Sequence, residues 1–179
     1  MKLLMALLVF LLTSSCSCLL DPMMKEKLKV YDQHMYRQYC HHKLVPNVFG
    51  GGGNGKQLHL LSLGFSTDQK LTIKTARKLL VDSISDFHEK INNSESLRPF
   101  LNEIPFPVSK LEYTIEVVEE GGWWPLFPDG LDDQQHISYV ILSRGVVRYY
   151  IDIVKDKLPV EIHEETYEEA VAITLEKDL

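Results

Sequence analysis

The strongest constraint on the fold of this chain is a helical stripe of apolar side chains in its middle. The stripe recurs at the spacing of an α-helix with one buried face, and its members are Ile73, Ala76, Leu80, Ile84, Phe87 and Ile91. A short apolar run, Leu58 to Phe65, precedes it and is typical of a buried central strand. This strand and helix predict the nucleus of one domain.

Three further segments predict strands and a closing helix. Residues 111–117 alternate apolar and polar side chains, which indicates a half-buried strand. Residues 137–142 and 146–153 flank Ser143-Arg144-Gly145 and predict a hairpin with a three-residue connection. Residues 164–175 predict a C-terminal helix that begins with glutamates.

An amphipathic helix is also predicted near the N-terminus. It begins at Asp21-Pro22, because aspartate caps helices and proline suits the first turn. Its expected buried stripe is Met24, Leu28, Tyr31, Met35 and Tyr39. The expected fold class is therefore α+β: a mainly antiparallel sheet of about four strands covered by a long helix, with an N-terminal helix and a C-terminal helix.

A run of glycines lies between this first helix and the first predicted strand. It follows a helix and leads into a strand, and Lys56 is followed by Gln57, so neither the context nor the ending is that of a phosphate-binding loop. We interpret 50–57 as a glycine-rich linker.

The first eighteen residues have the pattern of an export signal. A single charge at Lys2 precedes an apolar run from Leu3 to Leu12, and small residues follow. The run is much shorter than the roughly 20 residues needed to span a bilayer. The expected organisation is a signal peptide at 1–15, an N-terminal tether and amphipathic helix at 16–49, the linker at 50–57 and an α+β domain at 58–179.

The exit of this segment resembles the lipobox of bacterial lipoproteins, in which small residues lead into a lipidated cysteine. Ser14 and Ser15 precede Cys16, while Thr13 stands where the family most often has leucine; Cys18 is the weaker match. The resemblance implies lipidation of Cys16, with palmitate among the acyl chains, and a membrane anchor in the bacterial cell envelope. Ser17 after the cysteine implies the outer membrane, facing the periplasm or the surface. Cleavage without lipid is the alternative.

Composition argues against some classes of partner, and the bonding state of the cysteines has two interpretations. The chain has 25 acidic and 19 basic residues and a net charge of −6, which argues against nucleic acid as a partner. A disulfide between Cys18 and Cys40 is one interpretation, and a free thiol at Cys40 beside His41 and His42 is the other.

One loop gathers both tryptophans of the chain. Its apolar members are Trp123, Trp124, Leu126 and Phe127. Such a loop either covers the end of the sheet or forms a contact loop for protein, lipid or glycan.

The sequence contains no motif that names a reaction, a cofactor or a metal site. There is no HExxH, no paired CxxC and no Gly-x-Ser-x-Gly. The function expected is a binding or structural module of the cell envelope, with an envelope protein or a glycan as partner. The alternative is an exported enzyme in which His136, Asp132 or the Cys40-His41 region converge only in three dimensions.

Overall fold

The computed structural model describes residues 21–118, 136–151 and 158–176. Cys16, Cys18, the signal segment and the Trp123–Phe127 loop lie outside the described residues. In chain order the described elements are α1 (Pro22–His42), β1 (Val45–Gly53), β2 (Leu58–Thr67), α2 (Ile73–Asn93), two short 3₁₀ turns (Arg98–Phe100 and Val108–Lys110), β3 (Leu111–Val117), β4 (Tyr139–Ser143), β5 (Val146–Ile151), β6 (Val160–Thr166) and α3 (Tyr167–Glu176).

The fold is α+β, with one mixed sheet of six strands in the order β1-β2-β3-β4-β5-β6. Strands β2 and β3 are parallel, and the other neighbouring pairs are antiparallel. The parallel pair follows from the long crossover through α2, because parallel neighbours need such a connection. The expectation of about four strands was too low, since β1 and β6 were not recognised.

The core lies between the helices and one face of the sheet. The buried side chains of β3 are Leu111, Tyr113, Ile115 and Val117, every second residue, as the alternation predicts. The helical stripe is also confirmed, because Ala76, Leu80, Ile84, Phe87 and Ile91 are all buried and Ile73 is packed against them.

The glycine-rich segment is part of β1 and its turn rather than a linker. Gly50 to Gly53 pair with Ser62, Leu61, Leu60 and Leu58 of β2. A Cβ on Gly51 would lie 2.5 Å from the Leu60 carbonyl oxygen, so glycine permits the close approach of the two strands. Side chains of α1 and Leu44 share one core with residues 58 onward, so no boundary separates 16–49 from 58–179 in the described part of the chain.

Helix α1 begins where predicted, but its buried face matches the predicted stripe only in part. Tyr31 is fully buried and Met35 packs against the core, as predicted. The Asp21 carboxylate accepts a hydrogen bond from the Met23 amide at 2.8 Å, with proline at the first turn. Tyr39 is exposed, whereas Lys27, His34 and Gln38 are buried. Polar residues occupy this face because α2 offers them partners: the Ser83 hydroxyl, for example, donates to the Gln38 side-chain oxygen at 2.8 Å.

Two boundaries late in the chain also differ from expectation. The β4–β5 hairpin turns on two residues, Arg144 (φ 53°) and Gly145 (φ 78°), whose positive φ values suit the twist of the strands. Residues 160–166 form β6, and α3 begins at Tyr167. Glu164 and Glu165 therefore lie in a strand, not in the first turn of the helix.

Candidate functional site

A cleft of about 450 Å³ opens beside the first half of α2. Helix α2 supplies one wall, α3 faces it, and the end of α1 with the segment before α2 closes the side. The lining residues are His42, Gln69, Leu71, Lys74, Thr75, Arg77, Lys78, Leu79, Asp82, Ile173 and Thr174. Volumes of this size are typical of sites for small molecules.

The start of α2 is held firmly, which fixes this wall of the cleft. Thr72 and Thr75 form a reciprocal capping box, in which the Thr72 hydroxyl accepts from the Thr75 amide and the Thr75 hydroxyl accepts from the Thr72 amide. The Gln69 side-chain amide donates to the His42 carbonyl oxygen at 3.2 Å and ties the end of α1 to the rim. Side chains along this turn of the helix are therefore presented from a rigid element.

The lining combines apolar surface with cationic groups. Leu71, Leu79 and Ile173 provide the apolar part. Lys74, Arg77 and Lys78 provide positive charge, and Asp82, whose carboxylate lies 3.7 Å from the Lys78 ammonium, is the one carboxylate of the lining. Such a surface favours a ligand with both an apolar portion and a negative charge.

Beneath the cleft, Arg77 belongs to a buried polar cluster. Its Nε donates to Glu165 Oε1 at 2.7 Å, and the Tyr149 hydroxyl donates to the same oxygen. Burial opposes the charge on Arg77, but the hydrogen bond and the charge of Glu165 outweigh it and raise the arginine pKa. Burial, together with the adjacent Glu165 carboxylate, raises the pKa of Tyr149. Arg77 is thus a permanently charged, positioned cation at the base of the cleft.

A second buried cluster joins α1, α2 and β3. His34 Nδ1 lies 2.8 Å from Asp86 Oδ2, and His34 Nε2 lies 3.0 Å from the Tyr113 hydroxyl. Arg37 and Lys90 contact the other oxygen of Asp86 at 2.7 and 3.1 Å. Burial opposes the ionisation of Asp86, but the hydrogen bonds from His34 and Lys90 lower its pKa.

This cluster has the connectivity of a proton relay without access for a substrate. A carboxylate can only accept, so Nδ1 carries the histidine proton and Nε2 accepts from the tyrosine. His34 and Tyr113 are both fully buried. The arrangement therefore links the two helices to the sheet.

The described residues of the enzyme hypothesis do not converge on the cleft. Cys40 is exposed, and Cys40, His41 and His136 do not line the cleft, whereas His42 does. Asp132 and Cys18 lie outside the described residues, as do the four apolar residues of the tryptophan loop. The proposed Cys18–Cys40 bridge stays a prediction.

The sequence did not predict the buried ion pair below the cleft, which Arg77 and Glu165 form. Arg77 and Glu165 are 88 positions apart, so no local pattern connects them. One signal was available: Val160 and Ile162 alternate with polar residues at the period of a strand, which would have placed Glu165 in a sheet.

Two further findings concern the part of the chain that the structure describes. No group of three or more His, Cys, Asp or Glu side chains is arranged to hold a metal ion there. No described helix is both long and apolar enough to cross a membrane.

Comparisons with models of protein families, with curated proteins and with solved structures found no match for this chain.

Proposed function

We propose that this protein is an exported lipoprotein of the cell envelope whose domain binds a small anionic, partly apolar molecule in the cleft beside α2. The observation that carries the binding function is the cleft itself, in which the Lys74, Arg77 and Lys78 side chains surround apolar surface. Export and anchoring rest on the first eighteen residues and the lipobox resemblance at Cys16.

The charge balance of the cleft narrows the ligand. Glu165 neutralises Arg77 from below and Asp82 faces Lys78, so the site retains an excess of one positive charge. The whole chain carries a net charge of −6, so the cleft is locally opposite in sign to the rest of the protein. A monoanion such as a carboxylate on an apolar tail matches this balance.

The binding proposal is tested with octanoate, a monoanion with a saturated alkyl chain, by calorimetric titration. We expect a dissociation constant of about 0.1–1 mM, or roughly −4 to −5.5 kcal/mol. Octyl glucoside has the same tail without the charge, and we expect it to bind at least about tenfold more weakly.

A matched pair of charge reversals places the binding site. Lys74→Glu changes an exposed residue of the cleft, and we expect it to abolish octanoate binding. Lys29→Glu makes the same change on the exposed side of α1, outside the cleft, and should leave binding unaltered. Equal binding to both variants, or to both probes, would contradict the proposal.

Anchoring is tested separately by intact mass spectrometry of the protein from its native host, alongside a Cys16→Ala variant. A mature chain that begins at Cys16 with the added mass of acyl chains, lost in the variant, is the expected result. An unmodified chain would rule out the lipoprotein but leave the cleft as a binding site. The tryptophan loop, Trp123 to Phe127, is the surface that we propose for an envelope protein or a glycan.

A further inference from the structure

Strand β1 is an edge of the described sheet, and no described strand pairs with its outer side. It is the first strand in the sheet order, and its nine residues include no Asp, Glu, Lys or Arg. Val45, Val48 and Phe49 are 49%, 60% and 58% exposed. Such an edge presents backbone N–H and C=O groups that can pair with another strand.

The features that usually protect an edge strand from pairing with another strand, such as proline and irregular register, occur only at the ends of β1. Pro46 and a register shift between Pro46 and Val48 interrupt one end, and a shift between Gly52 and Gly53 interrupts the other. Between them, Val48 to Gly52 pair with β2 in unbroken register. Natural edge strands are commonly protected by a charge, a proline or a bulge, and the stretch from Val48 to Gly52 contains none of these.

The opposite edge of the sheet is different in chemistry. Strand β6 contains Glu161, Glu164 and Glu165, so two copies of it would set carboxylates against each other. Because the chain as a whole is acidic, with a net charge of −6, a second copy meets less electrostatic repulsion along β1 than along β6.

The sequence of β1 is also complementary to itself. In an antiparallel pairing about a two-fold axis at Gly50, Val48 and Phe49 of one copy lie opposite Gly52 and Gly51, respectively, of the other. Each bulky side chain would then face a residue without one, so the backbones can approach closely. The Phe49 ring packs edge-on to Tyr31 at 6.4 Å, which holds it in place beside the edge.

We propose that β1 pairs antiparallel with β1 of a second copy of this chain, which joins two six-stranded sheets into one continuous sheet. The contact is small, because it consists of backbone hydrogen bonds and two apolar residues from each copy. The β1–β1 interface is therefore expected to be weak and reversible, with a dimer dissociation constant of about 10 μM.

Sedimentation velocity of the full chain in mild detergent, at about 0.15 M salt, tests the pairing over a range of protein concentrations. We expect a reversible shift from monomer to dimer as concentration rises. Amide hydrogen exchange in residues 45–53 should slow over the same range, because outward N–H groups become paired.

Two edge variants locate the interface. Val48→Lys alters an exposed side chain, and Gly52→Lys adds a side chain whose Cβ meets only the Leu60 Cβ, at 3.7 Å, so both should fold. Each should raise the dimer dissociation constant at least about tenfold, because an unpaired lysine on an edge blocks pairing. Val160→Lys places the same charge on β6 and should leave the dimer unchanged.

Three results would overturn the proposal. The first is a wild-type chain that stays monomeric at every concentration. The second is self-association that both β1 variants retain, which would assign it to another surface or to the apolar N-terminus. The third is a dimer lost in Val160→Lys but not in the β1 variants. A thermal unfolding transition shows whether each variant is folded. If Gly52→Lys does not fold, Val48→Lys alone is used to test the interface.

Discussion

The carboxylate of Glu165 organises the buried side chains below the cleft. It is only 5% exposed and accepts hydrogen bonds from both Arg77 and Tyr149 at one oxygen. Its second oxygen, Oε2, is buried without a hydrogen-bond partner among the described residues, and His163 Nε2 lies 3.6 Å from it. Because Arg77 is also buried, the stability of the fold depends on this carboxylate more than on any exposed ion pair.

Glu165→Ala should therefore lower the free energy of unfolding by about 3–5 kcal/mol, because it leaves the Arg77 charge buried without a partner. Tyr149→Phe removes one hydrogen bond and should cost about 1–2 kcal/mol. The control is Glu164→Ala, since the Glu164–Arg148 pair at 2.7 Å is surface-exposed and should contribute at most about 1 kcal/mol. Urea unfolding measures all three, and equal losses for Glu164 and Glu165 would show that burial does not set the energetics.

At the scale of elements, β1 shows how glycines with the same sequence context have different roles. Gly51 has φ +149°, and a Cβ there would lie 2.5 Å from the Leu60 carbonyl oxygen. A Cβ on Gly52, the next residue, would meet only the Leu60 Cβ at 3.7 Å, an ordinary contact. One glycine is required by the pairing of β1 with β2, and its neighbour is not.

We expect Gly51→Ala to destabilise the protein by about 2 kcal/mol or more, since the backbone must shift to relieve the contact. Gly52→Ala should change stability by less than about 1 kcal/mol, and it is the matched control because the two substitutions add the same methyl group. Thermal unfolding distinguishes them. Similar melting temperatures would mean that the β1–β2 pairing tolerates a side chain at either position.

The sequence predicts elements well where one face is apolar and poorly where it is not. The α2 stripe and the alternation in β3 are governed by burial, which the pattern of residue types records directly. Strand β1 is mostly glycine at one end and has no alternation to read. The buried face of α1 was predicted only in part: Tyr31 is buried as expected, but Lys27, His34 and Gln38 are stabilised there by contacts that no periodicity shows.

At the scale of the whole molecule, α2 is tied to both sides of the fold by buried polar contacts. Asp86 joins it to α1 through His34, and Arg77 joins it to β6 through Glu165. The cleft lies beside this central helix and draws its lining from four separate segments. Its position could not be predicted from local patterns, because it depends on how those segments are brought together.

His34 should make the stability of the whole fold sensitive to mild acid. Burial lowers its pKa from 6.5 to about 4, although Asp86 acts in the opposite direction and Lys90 and Arg37 add to the lowering. The unfolded chain therefore takes up a proton below about pH 6.5, whereas the folded chain takes it up only near pH 4. Stability from this group is complete above pH 6.5 and is lost as the pH falls towards 4.

The expected loss across this window is about 3 kcal/mol, at up to roughly 1.4 kcal/mol per pH unit. Asp86 does not contribute to the loss in this window, because a carboxylate with a lowered pKa loses its stabilising contribution only below about pH 4. Urea unfolding at a series of pH values measures the slope. A His34→Gln variant should be less stable at pH 7 yet nearly independent of pH between 6.5 and 4, whereas His59→Gln, at an exposed histidine of β2, should keep the wild-type slope. If the His34 variant keeps the wild-type dependence of the free energy of unfolding on pH, another group causes the acid sensitivity. The neutral, buried His34 that joins α1, α2 and β3 would then not be the residue that limits stability in acid.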